Sequence, residues 1–234
     1  MSIDNALLRS AQAGDAFLRL YRWDPPCLSF GRNEPATTRY DTDQIRELGL
    51  DAVRRPTGGR AVWHEDELTY AVAAPNETFG SLREGYLAIH QMLAAALGRL
   101  GVEAALADRR SGRAPRPSAG ACFALPVGGE VVVAHRKLVG SAQVRTRNAF
   151  LQHGSLLLKN GQDVVSGITR GEVPRICATS LSEVLERPVS FGEVAQAIER
   201  EARERWSGTW RTGDEPPTID AGDNFDEAFW TWRR

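Results

Sequence analysis

Cysteine is scarce in this chain: Cys27, Cys122 and Cys177 are the only three among 234 residues. They are odd in number, far apart and free of CxxC spacing, which argues against a disulfide framework or a cysteine-held zinc site and fits a reducing compartment. No apolar run approaches the roughly 20 residues that a membrane-spanning helix needs. The opening stretch, MSIDNALLRSAQAGD, lacks the basic start and apolar core of a signal peptide. Charge of one sign is lacking too, because 29 basic side chains face 30 acidic ones. That balance removes the long-range positive field of a nucleic-acid binder. A cytoplasmic protein with no metal site, no nucleic-acid partner and no membrane partner is expected.

What is present is globular: 42% hydrophobic and 25% charged residues, in a length that one large domain can use. Ile3, Leu7 and Leu8 stand at helical spacing and predict an opening helix closed near Gly14. AFLRLYRW alternates like a half-buried strand, Pro25-Pro26 turns the chain, and CLSFG reads as a second strand. A short helix from Asp43 to Leu48 ends at Gly49. Strands are expected at DAVRR, AVWH and LTYAVAA. Ser81 with Glu84 forms a capping box that starts the longest helix, whose apolar face is Leu82, Tyr86, Ile89, Leu93, Leu97 and Leu100. VEAAL reads as a strand, after which residues 108–121, DRRSGRAPRPSAGA, read as a flexible basic loop. EVVVAH, KLVGSAQVRT and AFLQHGSLLL follow as consecutive antiparallel strands, and Ser190 with Glu193 starts a helix to about Trp206. No repeat period is visible. The order of elements predicts an α+β fold, a mixed and largely antiparallel sheet packed with helices. The catalytic domain is expected over 1–206, with an aromatic C-terminal tail at 207–234.

Two glycine-punctuated segments stand out. In RRPTGGRAVWH, at 54–64, paired glycines permit positive φ and a close approach to backbone. Their N–H groups, with a neighbouring guanidinium, suit an anionic or carbonyl oxygen. A TGG by itself reads more readily as a hairpin turn with solvated arginines. In HRKLVGSAQ, at 135–143, the small residues Gly140-Ser141-Ala142 inside a strand mean that something packs against the backbone, a ligand or a helix. Lys137 by itself reads as a solvated edge lysine.

Taken together, and with LQHGSLLL following, the segments resemble the lipoate–protein ligase A, octanoyltransferase and biotin ligase superfamily. RRPTGGRAVWH is similar to that family's RRxTGG-x-x-V-x-H loop, and HRKLVGSAQ to its G/R-K-x-x-G-S-A-Q segment. The resemblance covers about residues 1–190 and implies an acyl-binding tunnel between the two segments in an enzyme that modifies one lysine of a lipoyl carrier domain. By that resemblance Arg55, Thr57, Gly58, Gly59 and His64 belong to the loop walling the acyl pocket, and Lys137 contacts the acyl carbonyl. Gly140, Ser141 and Ala142 line the tunnel, and His153-Gly154 match the HG pair behind it. The glycine- and arginine-rich loop of biotin ligases is absent. MSIDNALL resembles the family's NMAxDxALL helix, so the sequence starts inside that motif: either the strand that precedes it in the family is absent or the start site is mis-assigned.

Within the family, ligases activate the acyl group with ATP, whereas transferases take it from a thioester through a cysteine acyl-enzyme. Cys122 sits in GACFALP, which resembles the xCFxxP segment holding the nucleophile of Gram-positive-type octanoyltransferases. A nearby ammonium, such as Lys137, would raise its thiolate fraction and polarise the thioester. Cys27 and Cys177 read as structural. The expected reaction is transfer of an octanoyl (or lipoyl) group from acyl carrier protein, through Cys122, to a lysine of a glycine-cleavage H protein or dehydrogenase E2, with no cofactor. Arg109, Arg110, Arg113 and Arg116 would steer acidic carriers by complementary charge. Two alternatives stay open: an ATP- and Mg-dependent lipoate–protein ligase lacking its accessory domain, and a non-catalytic acyl-binding homologue. The acidic and aromatic residues that the family carries after CFxxP are thin here, with only Glu130 in PVGGEVVV.

Overall fold

A computed structural model describes residues 1–108, 123, 128–171, 176–213, 225 and 227–233. The chain opens with α1 (Ser2–Ala11), whose buried Leu7, Leu8 and Ala11 confirm the helical spacing of the sequence. Strands β1 (Phe17–Tyr21) and β2 (Cys27–Phe30) follow, then the short helices α2 (Ala36–Arg39) and α3 (Thr42–Glu47). The Asp41 side chain caps α3 by accepting from the Asp43 and Gln44 amides. Next come β3 (Asp51–Arg54), β4 (Val62–His64) and β5 (Glu67–Pro75). Helix α4 (Leu82–Gly98) starts at the expected capping box, Ser81 with Glu84. Its inner face differs at one end: Leu82 is exposed, while Ile89, His90, Met92, Leu93, Ala96 and Leu97 are buried.

The expected strand in VEAAL shrinks to β6 (Ala105–Leu106), which joins β7 (Val131–Val133) and β8 (Arg136–Lys137). Then come β9 (Val139–Arg145), β10 (Ala149–Leu157), and the helices α5 (Asp163–Gly167), α6 (Leu181–Leu185), α7 (Phe191–Arg205) and α8 (Ala228–Thr231). The second capping box is only half made. Ser190 accepts from the Glu193 amide, but the Glu193 carboxylate turns away to pair with Arg187.

The α+β class holds, and the sheet is divided. A four-stranded antiparallel sheet runs β1-β5-β10-β9, a three-stranded mixed sheet β3-β2-β4, and a third β6-β7-β8. HRKLVGSAQ is therefore not one strand of a simple run. It changes sheets at Leu138, so that Lys137 belongs to the third sheet and Gly140-Ser141-Ala142 to the first.

The two-residue period of β5 and β10 sorts the large sheet into different faces. Leu68, Tyr70, Val72, Phe150 and Leu156 pack under α4 and α7 in the main core. On the other face Ala71, Ala73, Ala149 and Leu151 pack under α1. Farther along that same face the residues turn polar, with Glu67, Thr69, His153 and Ser155 all buried. The mixed sheet has the same division. Leu28, Phe30, Ala61 and Trp63 face a satellite core with Tyr40 and Ile168, leaving Ser29, Val62 and His64 to the opposite side.

Arg54 anchors the end of the chain to this arrangement. Its side chain is fully buried and donates to the carbonyls of Gly31, Arg32, Glu34, Trp230, Thr231 and Arg233. Burial draws its pKa down to about 10, so it remains a cation at neutral pH. Trp230 returns a hydrogen bond to the Arg54 carbonyl, and Trp232 packs against Phe30. Arg54→Met takes this donor from all six carbonyls, of which those of Gly31, Arg32 and Glu34 keep a second one, from the Glu34 amide, the Arg233 side chain and the Ala36 amide. It should lower unfolding free energy by about 3 kcal/mol or more and expose 227–233 to protease. Urea unfolding and limited proteolysis read both, and a C-terminal segment still protected would contradict the clasp.

Candidate functional site

The polar halves of the two larger sheets face each other across a cavity of about 350 Å³, counted out to its mouth. Arg55, Val62 and His64 line one side, and Gly140, Ser141, Ala142, His153 and Gly154 the other. Met1, Tyr21, Trp23, Ser29, Thr69 and Ser155 complete the lining. The two glycine-punctuated segments thus meet at one space, as their resemblance implied.

Thr57, Gly58 and Gly59 stand behind that wall. Gly59 has φ of +93°, a backbone conformation that other residues adopt only under strain, and a Cβ there would lie 2.8 Å from the Arg55 guanidinium. Arg55 was expected to offer bidentate donors to a ligand oxygen. Its donors instead go to its own surroundings: Nε and Nη2 to the Gly58 carbonyl, Nη2 to Arg60 O at 2.6 Å, and Nη1 to Ser29 O and Oγ. The guanidinium curls the loop around itself because several carbonyls converge there.

His153 ties the loop to the rest of the fold. Its Nδ1 lies 3.0 Å from Asp4 Oδ2 and its Nε2 2.6 Å from Thr57 Oγ1. Burial holds the imidazole pKa below its ordinary value despite Asp4. The neutral ring therefore donates from Nδ1 to the carboxylate and accepts at Nε2 from the threonine hydroxyl. Burial alone would raise the Asp4 carboxyl, but the hydrogen bond from His153 and the Arg19 guanidinium at 2.7 Å bring it down to about 2. Tyr21 adds a third donor at 2.9 Å.

A second polar chain runs behind the small-residue strand. A Cβ on Gly154 would sit 2.5 Å from Ser141 Oγ and 2.6 Å from Gly140 O, so glycine alone lets these strands close up. Gln143 donates to Gln152 Oε1, Gln152 to Tyr70 Oη at 2.8 Å, and Tyr70 and Ser141 share a hydrogen at 2.7 Å. Ser141 Oγ lies 2.8 Å from His90 Nε2, and His90 Nδ1 lies 2.6 Å from Gly129 O. Burial lowers the His90 pKa to about 4, so this ring is also neutral near pH 7. It donates to Gly129 and accepts from Ser141.

Lys137, read from sequence as an edge lysine or a contact to the acyl carbonyl, is 1% exposed and does not line the cavity. Its Nζ donates to Glu130 Oε1 at 2.6 Å and lies 5.2 Å from the Phe123 ring centre. Its Cε would be 3.2 Å from a Cβ on Gly140, which places it directly behind the cavity wall. Glu130, the single acid after CFxxP, is thus its charge partner. Cys122 and the basic residues Arg109, Arg110, Arg113 and Arg116 lie outside the described residues. Phe123 is described: its ring is buried near Gly140 and its carbonyl accepts from the Cys177 amide. Cys27 is buried, and burial pushes its thiol up to about 12, which suits a structural role. Among the described residues no three His, Cys, Asp or Glu side chains are grouped as metal ligands, and no helix is long and apolar enough to cross a membrane.

Several residues of the site escaped the sequence reading. Asp4 carried a signal, an acid beside Ile3, Leu7 and Leu8 on an apolar helix face. Ser29, Glu67, Tyr70 and His90 carried little, since each sits within an ordinary strand or helix pattern and gains meaning only from its neighbours in space.

The fold and cavity define a catalytic domain of the lipoate-ligase type. The structure superposes on lipoate-protein ligase A bound with ATP with a TM-score of 0.80 at 23% identity, covering 99% of this chain and 92% of that one. It matches the bi-partite lipoate protein ligase of Thermoplasma acidophilum, solved with its E2 lipoyl domain, with a TM-score of 0.76 at 22% identity, covering 99% and 89%. Residues 1–203 match the model of the lipoyl protein ligase A/B catalytic domain, and the chain belongs to that family. Among curated relatives, octanoyltransferase LipM of Moorella thermoacetica is 38% identical over 215 residues, 86% of this chain and 79% of the relative. Octanoyltransferase LipM of Kyrpidia tusciae is 38% identical over 217 residues, 85% and 79%.

The buried histidines set an acid limit on the site. Unfolded histidine titrates near 6.5 and folded His90 near 4, so the unfolded chain binds the proton first as pH falls. The stability this group contributes is complete above pH 6.5 and is lost on the way down to 4, a change of about 3 kcal/mol. His153 acts in the same direction, and Asp4 adds a further loss as pH falls from about 4 to about 2. Urea midpoints at pH 7 and pH 4.5 should differ accordingly, and His90→Gln should flatten part of that slope. An unchanged slope in the variant would remove His90 as a source.

Proposed function

We propose that this protein is an octanoyltransferase of lipoate biosynthesis. It moves an octanoyl (or lipoyl) group from an acyl-carrier thioester, through a Cys122 acyl-enzyme, to a lysine of a lipoyl carrier domain. The observation that carries this reading is the cavity lined by both glycine-punctuated segments, in a chain 38% identical to proteins named octanoyltransferase LipM. The acyl chain lies between Val62 and His64 on one side and Gly140 and Ala142 on the other. Its small-residue wall admits an unbranched chain at close range.

In the first half-reaction the Cys122 thiolate attacks the thioester carbonyl, and the carrier's thiol departs with a proton. In the second, the amine of the acceptor lysine attacks the Cys122 thioester, forming the amide and restoring the thiol. Both steps exchange bonds without ATP, so no cofactor is required. The position of Phe123 against Gly140 and near Lys137 supports this assignment of its neighbour Cys122. Lys137, held by Glu130 behind the wall at Gly140, supplies positive charge toward the oxyanion from outside the cavity. We assign this chemistry to residues 1–206, with Trp230, Thr231 and Arg233 of the tail at 207–234 bracing the glycine loop through Arg54. The donor is acyl carrier protein and the acceptor a glycine-cleavage H protein or dehydrogenase E2, both met in the cytoplasm. The basic residues at 109–116 attract these acidic carriers.

Incubation with octanoyl acyl carrier protein in the absence of ATP, followed by intact-mass measurement, should show one octanoyl adduct, and Cys122→Ala should show none. Lys137→Met should slow transfer to a lipoyl domain by about 10²–10⁴-fold. An equal adduct in Cys122→Ala would overturn the cysteine mechanism. Pyrophosphate release that needs lipoate and ATP, unaffected by Cys122→Ala, would establish a ligase instead.

A further inference from the structure

The cavity wall holds a constellation that octanoyl transfer through Cys122 does not use. Ser29 Oγ lies 2.6 Å from His64 Nε2, and His64 Nδ1 lies 2.7 Å from Glu67 Oε1. A carboxylate oxygen only accepts, so Nδ1 carries the hydrogen, and whenever the ring is uncharged Nε2 is the acceptor for the serine hydroxyl. This is the tautomer that lets an imidazole take a proton from a nucleophilic hydroxyl. The ring is held in that plane by Trp23, stacked at 4.5 Å between ring centres, and Trp23 is fixed in turn by its bond to Thr69 Oγ1. Glu67 Oε1 also accepts from Thr69 and Ser155, while Glu67 Oε2 is buried with no partner among the described residues.

Two further facts separate this group from a histidine that is merely satisfied in a core. Ser29 and His64 both line the cavity, whereas Glu67 stands behind them, the order of nucleophile, base and orienting acid. Arg55 Nη1 donates to Ser29 Oγ at 2.9 Å, which occupies an acceptor site of that oxygen and leaves its proton for His64. An unbranched apolar chain gives no reason to bury such a connected polar group against its cavity, where apolar side chains would serve at lower desolvation cost.

We propose that Ser29, His64 and Glu67 form a second, serine-based acyl-transfer centre, which takes a medium-chain acyl group from an activated ester or thioester and releases it to water. The substrate class rests on the acyl reading of the cavity; the chemistry rests on the three side chains. Ser29 Oγ attacks the carbonyl as its proton passes to His64 Nε2. The bond to the leaving sulfur or oxygen breaks, and that atom departs with the proton from Nε2. Water then attacks the Ser29 ester, giving its proton to His64, and Ser29 Oγ leaves and regains it. The products are the free carboxylic acid and the thiol or alcohol. Glu67 stabilises the positive charge that the imidazole gains in each half.

The test uses the full chain with Cys122→Ala, so that cysteine chemistry is removed. This protein is treated with a medium-chain alkyl fluorophosphonate, and the labelled peptide is mapped by mass spectrometry. p-Nitrophenyl octanoate hydrolysis is followed in parallel. The label should fall on Ser29, and Ser29→Ala should abolish both labelling and hydrolysis. His64→Gln should slow labelling by about 100-fold or more. Glu67→Gln, which keeps the shape of the cluster, should slow it at least about tenfold. Thermal melting of each variant separates loss of chemistry from loss of fold. No label on Ser29, or a labelling rate indifferent to His64→Gln and Glu67→Gln in folded protein, would overturn the proposal. Labelling of Ser29 here, with no octanoyl adduct on Cys122 of the parent protein, would keep the serine centre and remove the transferase reading; an adduct on Cys122 of the parent, with Ser29 unlabelled in Cys122→Ala, would do the reverse.

Discussion

The buried link from Asp4 through His153 to Thr57 is the constraint on which the site depends. It joins the first helix, the central strand β10 and the glycine loop, three parts of the chain far apart in sequence. The link works because only one member is charged. Asp4 is held ionised by Arg19 and by donated hydrogen bonds, while desolvation keeps His153 neutral and able to accept from Thr57. Were the imidazole charged, Nε2 could only donate, and the orientation of the Thr57 hydroxyl would have to reverse.

From that link the geometry of the cavity follows. Thr57 anchors one end of the loop, and Arg55 gathers the Gly58 and Arg60 carbonyls at the other. Gly59 closes the turn against the Ala142 side chain, so the loop and the small-residue strand approach without filling the space between their neighbours. Across the large sheet, the chain from Gln152 through Tyr70 and Ser141 to His90 satisfies the polar groups that this approach buries. The two faces of one sheet thereby carry different burdens: an apolar core under α4 and α7, and a polar cavity beside α1. Buried polar networks of this kind are costly unless connected, and each member of the chain from Gln152 to His90 has a specific partner.

Much of the fold was legible in the chain. The capping box at Ser81, the strands at LTYAVAA and AFLQHGSLLL, and the helix ending near Trp206 all depend on local geometry and hold as read. The errors arose where a distant partner overrides local preference. HRKLVGSAQ changes sheets at Leu138 because β8 pairs with β7 and β9 with β10. Glu193 abandons its capping box because Arg187 offers a charged partner. Lys137, polar and flanked by an arginine, looked like a surface residue, and its ion pair with Glu130, invisible in the sequence, accompanies its burial.

The same boundary divides the site. The family resemblance implied which segments meet, whereas the glycines at 58–59 and the small residues at 140–142 by themselves announce only close backbone approach, whatever the partner. Sequence alone determined the family, through motifs held in register. Only the tertiary structure decided what the polar side chains do. Arg55 turns inward to its own loop, Asp4 holds a histidine 149 residues away, and Ser29 finds His64 across a strand pair. The physical reason is that a hydrogen bond is set by distance and direction in space. The spacing of residues along a chain fixes those only within one helix or one strand.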